Sequence, residues 1–190
     1  MKAFSKVGLV AAVALLATAA AATSAQAATF NPDNTAVAGT SSNLTLTYGG
    51  ATIECPAVSF EGCTGLDSDR ITDIPFQFEA PCSFGGLEAT TDCSDTVTLI
   101  ADPDADDTGA FELDEGFHCD FSTAICVITV AAPQTTQPKS TFLDEANDVL
   151  SVDRELQAAR VGSVACGPAS GTMRITADFA MTPANLTIDP

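Results

Sequence analysis

Apolar and polar residues alternate along much of this chain. The clearest run lies near the carboxyl end, where every second residue from Met173 to Met181 is apolar and Arg174, Thr176 and Asp178 lie between them. Successive side chains of a strand point to opposite faces, so a period of two predicts a strand with one buried face. This segment is therefore predicted to be a half-buried β-strand.

Similar runs recur upstream and define the expected fold class. They are Leu44–Tyr48, Phe76–Glu79, Thr96–Ile100 and Ile125–Val130. Clusters of Gly, Asp, Ser and Pro separate them about every ten residues, a spacing typical of all-β sandwiches and barrels. We predict one domain, residues 28–190, folded as an antiparallel Greek-key sandwich of immunoglobulin-like or related type.

One segment, residues 141–162, fits two predictions. Thr141 and Asp144 have the spacing of a helix cap and Gly162 is a suitable helix stop. The run from Leu150 to Ala158 also alternates as a strand does, with only Arg154 out of pattern. We favour a long strand over 149–166 that turns at 167–171 into the Met173 strand, with a helix as the alternative.

The first 27 residues have the pattern of a secretory signal. Lys2 and Lys6 precede an apolar run, Val7–Ala22, and Ala25–Ala27 has the A-x-A pattern of a cleavage site. The apolar run is short for a transmembrane helix. We expect a secreted mature chain, residues 28–190, which is extracellular or, in a host with an outer membrane, periplasmic.

Charge restricts the partners. The chain has 25 acidic and 7 basic residues and a formal net charge of −18. Nucleic-acid affinity depends on Lys and Arg neutralising phosphates, so nucleic acids and anionic membranes are excluded as partners. Cations or a basic protein are the partners that such a charge attracts.

All seven cysteines lie after the predicted signal. No C-x-x-C pair is present, so disulfides are expected rather than a zinc site. Local spacing favours Cys82–Cys93 and Cys119–Cys126, each closing a predicted hairpin. Cys55 is assigned to Cys166, which leaves Cys63 as a free thiol, with Cys55–Cys63 as the alternative bond.

An acidic run offers one metal-binding hypothesis. Asp102, Asp104 and Asp106 have the alternating oxygen ligands of a calcium loop. The loop glycine and the closing glutamate of an EF-hand are replaced by Asp107 and Leu113. A solvated acidic loop is the alternative interpretation, and no other cofactor is predicted.

No catalytic motif is present. His118 is the only histidine and is adjacent to a cysteine expected to be bonded, and Asp107-Thr108-Gly109 is a single copy of a triplet that aspartic proteases use in pairs. The phenylalanines are expected in the core.

These observations predict a non-enzymatic secreted binding or structural module. One alternative is an extracellular carrier of a small apolar or cationic ligand, because the chain resembles in composition the acidic, disulfide-bonded apoproteins of the neocarzinostatin kind. The other alternative is a secreted hydrolase with an unrecognised acidic site.

Overall fold

The fold consists almost entirely of β-strands. The computed structural model describes residues 28–66, 68–103, 107–134 and 139–189, so the predicted signal lies outside the described residues. One 3₁₀ turn, Val164–Cys166, accompanies the strands, and within the described residues no helix is long and apolar enough to span a bilayer. The strands are β1 Thr29–Asn31, β2 Ala36–Ser41, β3 Leu44–Tyr48, β4 Ala51–Cys55, β5 Val58–Cys63, β6 Arg70–Ile74, β7 Phe76–Phe78, β8 Cys82–Phe84, β9 Leu87–Ser94, β10 Val97–Ala101, β11 Thr108–Leu113, β12 His118–Ser122, β13 Cys126–Ala131, β14 Thr141–Asp144, β15 Val149–Gly162, β16 Ser170–Thr182 and β17 Thr187–Asp189.

Eight of these strands form a closed antiparallel barrel. Its ring runs β15-β13-β12-β9-β8-β4-β3-β16, and the pairing of β16 with β15 closes it. The predicted sandwich was therefore wrong. Alternation shows only that each strand buries one face, which is true of both architectures, whereas closure depends on which strands pair.

The remaining strands of the large sheet form an extension that we call the annex. In the barrel, residues Ala158 to Gly162 of β15 pair with β13, whereas residues Val149 to Val152 of the same strand pair with β14. Likewise, the end of β16 pairs with β2. The annex therefore continues as β14-β11-β10-β6 on one side and β2-β5-β7 on the other.

The strand prediction for residues 149–166 is confirmed as far as Gly162. The β15–β16 hairpin aligns Val149 with Ala180 and Ala159 with Ser170, and residues 164–166 form the 3₁₀ turn instead of more strand. Arg154, which interrupted the apolar pattern, occupies an inward position and is buried. Buried and exposed positions therefore alternate through residue 154, although its side chain is charged.

The predicted disulfide pairs were wrong. The bonds are Cys55–Cys82, Cys93–Cys119 and Cys126–Cys166, and Cys63 is an exposed free thiol. In the β8–β9 hairpin Cys82 lies opposite Ala89, and in the β12–β13 hairpin Cys119 lies opposite Val130.

Strand register explains the pairs that do form. Cys93 and Cys119 are direct partners across β9 and β12, with Cα atoms 4.0 Å apart. Cys55 and Cys82 lie at the adjoining ends of β4 and β8, with Cα atoms 4.3 Å apart. A disulfide requires nearby Cα atoms, so neighbouring strands of the barrel determine the pairing rather than closeness in sequence. The three bonds indicate an oxidising environment of extracellular type.

Candidate functional site

The predicted calcium loop is only partly covered by the structure. Asp102 directly follows β10, is half-buried, and its backbone N–H donates to the Thr108 carbonyl at 2.9 Å. Asp104 and Asp106 lie outside the described residues. The described residues contain no group of three or more His, Cys, Asp or Glu side chains able to hold a metal ion. The calcium site therefore stays a prediction.

His118 lies on the barrel surface at the start of β12. Its side chain is 49% exposed, and its Nε2 is 3.2 Å from a carboxylate oxygen of Asp120 on the same strand. Among the described residues, the buried polar and charged side chains are three threonines, two serines and Arg154, with no carboxylate. A general base needs a titrating group near its target, and this arrangement provides no buried acid–base pair.

Four connections lie at one end of the barrel, which we call the hairpin end. Antiparallel register brings together the turns at 49–50, 85–86 and 123–125 and the β15–β16 connection at 163–169. The backbone N–H of Ser163 donates to the Ile125 carbonyl at 2.9 Å. The Tyr48 hydroxyl, at the β3–β4 turn, donates to the Pro168 carbonyl at 2.8 Å. These bonds join the 163–169 connection to the turns at 123–125 and 49–50.

Arg160 and a disulfide hold the longest of these connections. The Arg160 Nε donates to the carbonyl of Gly167 at 2.9 Å, and its Nη1 donates to that of Gly162. Cys166 bonds to Cys126 at the start of β13. The 163–169 connection is therefore bonded to β13 through Cys166 and to Arg160 of β15 through the Gly167 carbonyl.

The hairpin end exposes apolar side chains. Val164 is 83% exposed, Val161 73%, Ile125 45% and Leu87 43%. The four sequence segments that form this end, 47–52, 83–88, 121–126 and 160–171, contain only two charged residues, Glu88 and Arg160. In a chain with 25 acidic residues, this is a nearly charge-free surface.

A second apolar feature lies where the barrel meets the annex. A cavity of about 40 Å³ is lined on the barrel side by residues that include Leu46, Leu156 and Ile175, and on the annex side by Phe76, Phe78 and Leu113. The two phenylalanines and Leu113 are only half-buried. We call this space the junction cavity.

No family model, curated protein or solved structure matches this chain. A function must therefore be argued from the geometry of these two apolar features.

Arg154 is the one charged side chain buried in the described core. It is 1% exposed, and its guanidinium carbon lies 5.6 Å from the centre of the Phe111 ring, within cation–π range. Burial lowers the pKa of Arg154, and the nearby Glu112 carboxylate partly opposes that shift. A guanidinium group is too weak an acid to lose its proton in a protein near neutral pH, so the side chain stays charged.

Neither the hairpin end nor the junction cavity was predicted from the sequence. The phenylalanines were assigned to the core as a class, with no indication that Phe76 and Phe78 lie half-buried over a cavity. The strand prediction includes residues 163–166, although these belong to the β15–β16 connection. The low density of charge in the turns, within so acidic a chain, was the available signal for the hairpin end.

Proposed function

We propose that the protein is a secreted, non-enzymatic binding module that associates with a second copy of itself through the hairpin end. Its export rests on the predicted signal, and the three disulfides fit an oxidising destination. The observation that carries the proposal is the nearly charge-free, apolar surface formed by Leu87, Ile125, Val161 and Val164.

Electrostatics favours this end for contact between two copies. Two copies of this acidic chain repel each other, and the repulsion is strongest where carboxylates approach most closely. The opposite end of the barrel carries acidic connections that contain Asp95, Asp114 and Glu115. The hairpin end has one acidic and one basic residue, so a second copy can approach it with the least repulsion.

Apolar burial supplies the attraction, and the rigid connections lower its entropic cost. Burying apolar surface contributes roughly 25 cal/mol per Å². The tethering of Val161 and Val164 between Arg160 and the Cys126–Cys166 bond reduces the ordering required on association. A twofold arrangement places the same patch of both copies in contact. One barrel end is small, so we expect a reversible dimer from the low end of the interface range, below about 1,200 Å².

Analytical ultracentrifugation of residues 28–190 tests this proposal. We expect concentration-dependent dimerisation that strengthens as sodium chloride rises from 0.05 to about 0.5 M, because salt screens the repulsion between the copies. Val164→Asp should abolish dimerisation by placing two carboxylates in the interface. The matched control is Phe142→Asp, which adds the same charge at an apolar residue that is 49% exposed on β14 in the annex.

Comparison with Phe142→Asp separates a loss of the interface from a general effect of added charge. Dimerisation that Val164→Asp removes and Phe142→Asp preserves would support the hairpin end. A wild-type protein that stays monomeric at millimolar concentration in high salt would overturn the proposal. Equal loss with both substitutions would also overturn it, because added net charge alone would then explain the effect.

A further inference from the structure

We propose that the junction cavity binds the end of an alkyl chain carried by an ammonium compound. This site is separate from the hairpin end, since it lies between the barrel and the annex strands β7 and β11. The proposed ligand is a small molecule and is distinct from the second copy proposed to bind at the hairpin end.

The cavity has the chemistry of an apolar site. Its volume of about 40 Å³ exceeds what one water molecule needs, yet its lining consists only of aliphatic and aromatic side chains and one disulfide, Cys93–Cys119. A buried water requires two to four polar partners, and apolar cavities of this kind stay dry. Atoms that line a dry void lack dispersion contacts, so an apolar group that enters gains both those contacts and its transfer from water.

The cover of the cavity provides an entry. Strand β7, Phe76–Phe78, is an edge strand of three residues that pairs only with β5. Phe78 covers the barrel side and meets the Phe121 ring edge-on at 5.9 Å, and Phe76 packs on Phe111 at 5.7 Å. Both rings remain half-buried, so they contact the cavity on one side and are partly exposed to solvent on the other.

The negative charge of the chain selects the head group. With 25 acidic and 7 basic residues, the chain repels a carboxylate or sulfate head group and attracts an ammonium group. The favoured ligand class is therefore an alkyl amine or a quaternary alkylammonium ion.

Methyl-resolved NMR of residues 28–190 tests the site with hexyltrimethylammonium as the probe. We expect saturable shifts at the methyl groups of Leu46, Leu113, Leu156 and Ile175. Hexyl sulfate should bind several-fold more weakly, and tetramethylammonium should cause no such shifts because it lacks the chain. Phe78→Ala should enlarge the cavity toward the roughly 150 Å³ that admits benzene. Two further buried methylenes should then tighten binding about tenfold.

Two further variants, Phe142→Ala and Phe78→Leu, serve as controls for the binding measurement. Phe142→Ala removes an exposed ring elsewhere on the annex and should leave the affinity unchanged. Phe78→Leu, a milder change, should give an intermediate affinity and replaces Phe78→Ala if that variant fails to fold. Shifts confined to Ile125, Val161 and Val164 would overturn the cavity site and assign the probe to the hairpin end. Absence of shifts, or equal affinity in wild type and both Phe78 variants, would also overturn it.

Discussion

At the scale of single residues, Arg154 shows how a charged side chain can occupy a core position. Its guanidinium lies over Phe111 and its stem takes the place of an apolar residue on the inward face of β15. Long charged side chains cover apolar surface with their methylenes, so part of the contribution of Arg154 to stability comes from packing.

We predict that Arg154→Ala lowers the free energy of unfolding by about 2–5 kcal/mol, the range for truncating a large buried side chain. Arg154→Met preserves most of the volume and removes the desolvation cost of the charge, so its effect should stay below about 1.5 kcal/mol. Urea unfolding at an unchanged m-value measures both. If Arg154→Met lowers the free energy of unfolding as much as Arg154→Ala does, the charge of Arg154 and not its packing stabilises the fold.

At the scale of elements, the β2–β5 pair depends on a glycine beneath an aromatic ring. Gly39 lies directly opposite Phe60, and a Cβ at Gly39 would be 2.3 Å from that ring. The ring cannot move easily, because it packs edge-on against Phe179 at 5.1 Å and Phe76 at 6.1 Å. The annex therefore requires a residue without a side chain at position 39.

We predict that Gly39→Ala destabilises the protein by about 1–3 kcal/mol through overpacking. The same substitution in a Phe60→Leu background should cost clearly less, since the smaller side chain makes room. A double-mutant cycle of unfolding free energies measures the coupling. Equal costs in both backgrounds would show that the effect comes from backbone conformation and not from the Phe60 ring.

At the scale of the whole molecule, the dominant property is its negative charge. The chain has 25 acidic and only 7 basic residues, and repulsion between the excess carboxylates destabilises the folded state. Screening acts on exposed charges alike for any salt of equal ionic strength. A calcium site formed by residues 102–106 would instead raise the stability of the folded state with calcium only.

We predict that the melting temperature rises equally with sodium, magnesium and calcium chlorides at matched ionic strength, and that Asp104→Asn changes this response little. Specific binding would add about 2.7 kcal/mol at a hundredfold excess of ligand over its Kd. A rise selective for calcium that Asp104→Asn removes would contradict the prediction and establish the calcium loop.

Some of this protein follows from the order of its residues alone. The strand that contains Met173 and the long strand that begins at Val149 could be predicted, because one-sided burial imposes a period of two on each segment. The hairpin between them could also be predicted, because Gly167 and Pro168 interrupt both patterns.

Only the tertiary structure decided how the strands are assembled. Ring closure depends on β15 pairing with both β16 and β13 and on β16 pairing with β3, and alternation carries no information about neighbours. Closure in turn determined the disulfides, because it placed Cys93 beside Cys119 and Cys126 near Cys166. Both candidate sites have the same origin: the hairpin end and the junction cavity are formed by segments distant in sequence that meet only when the barrel closes.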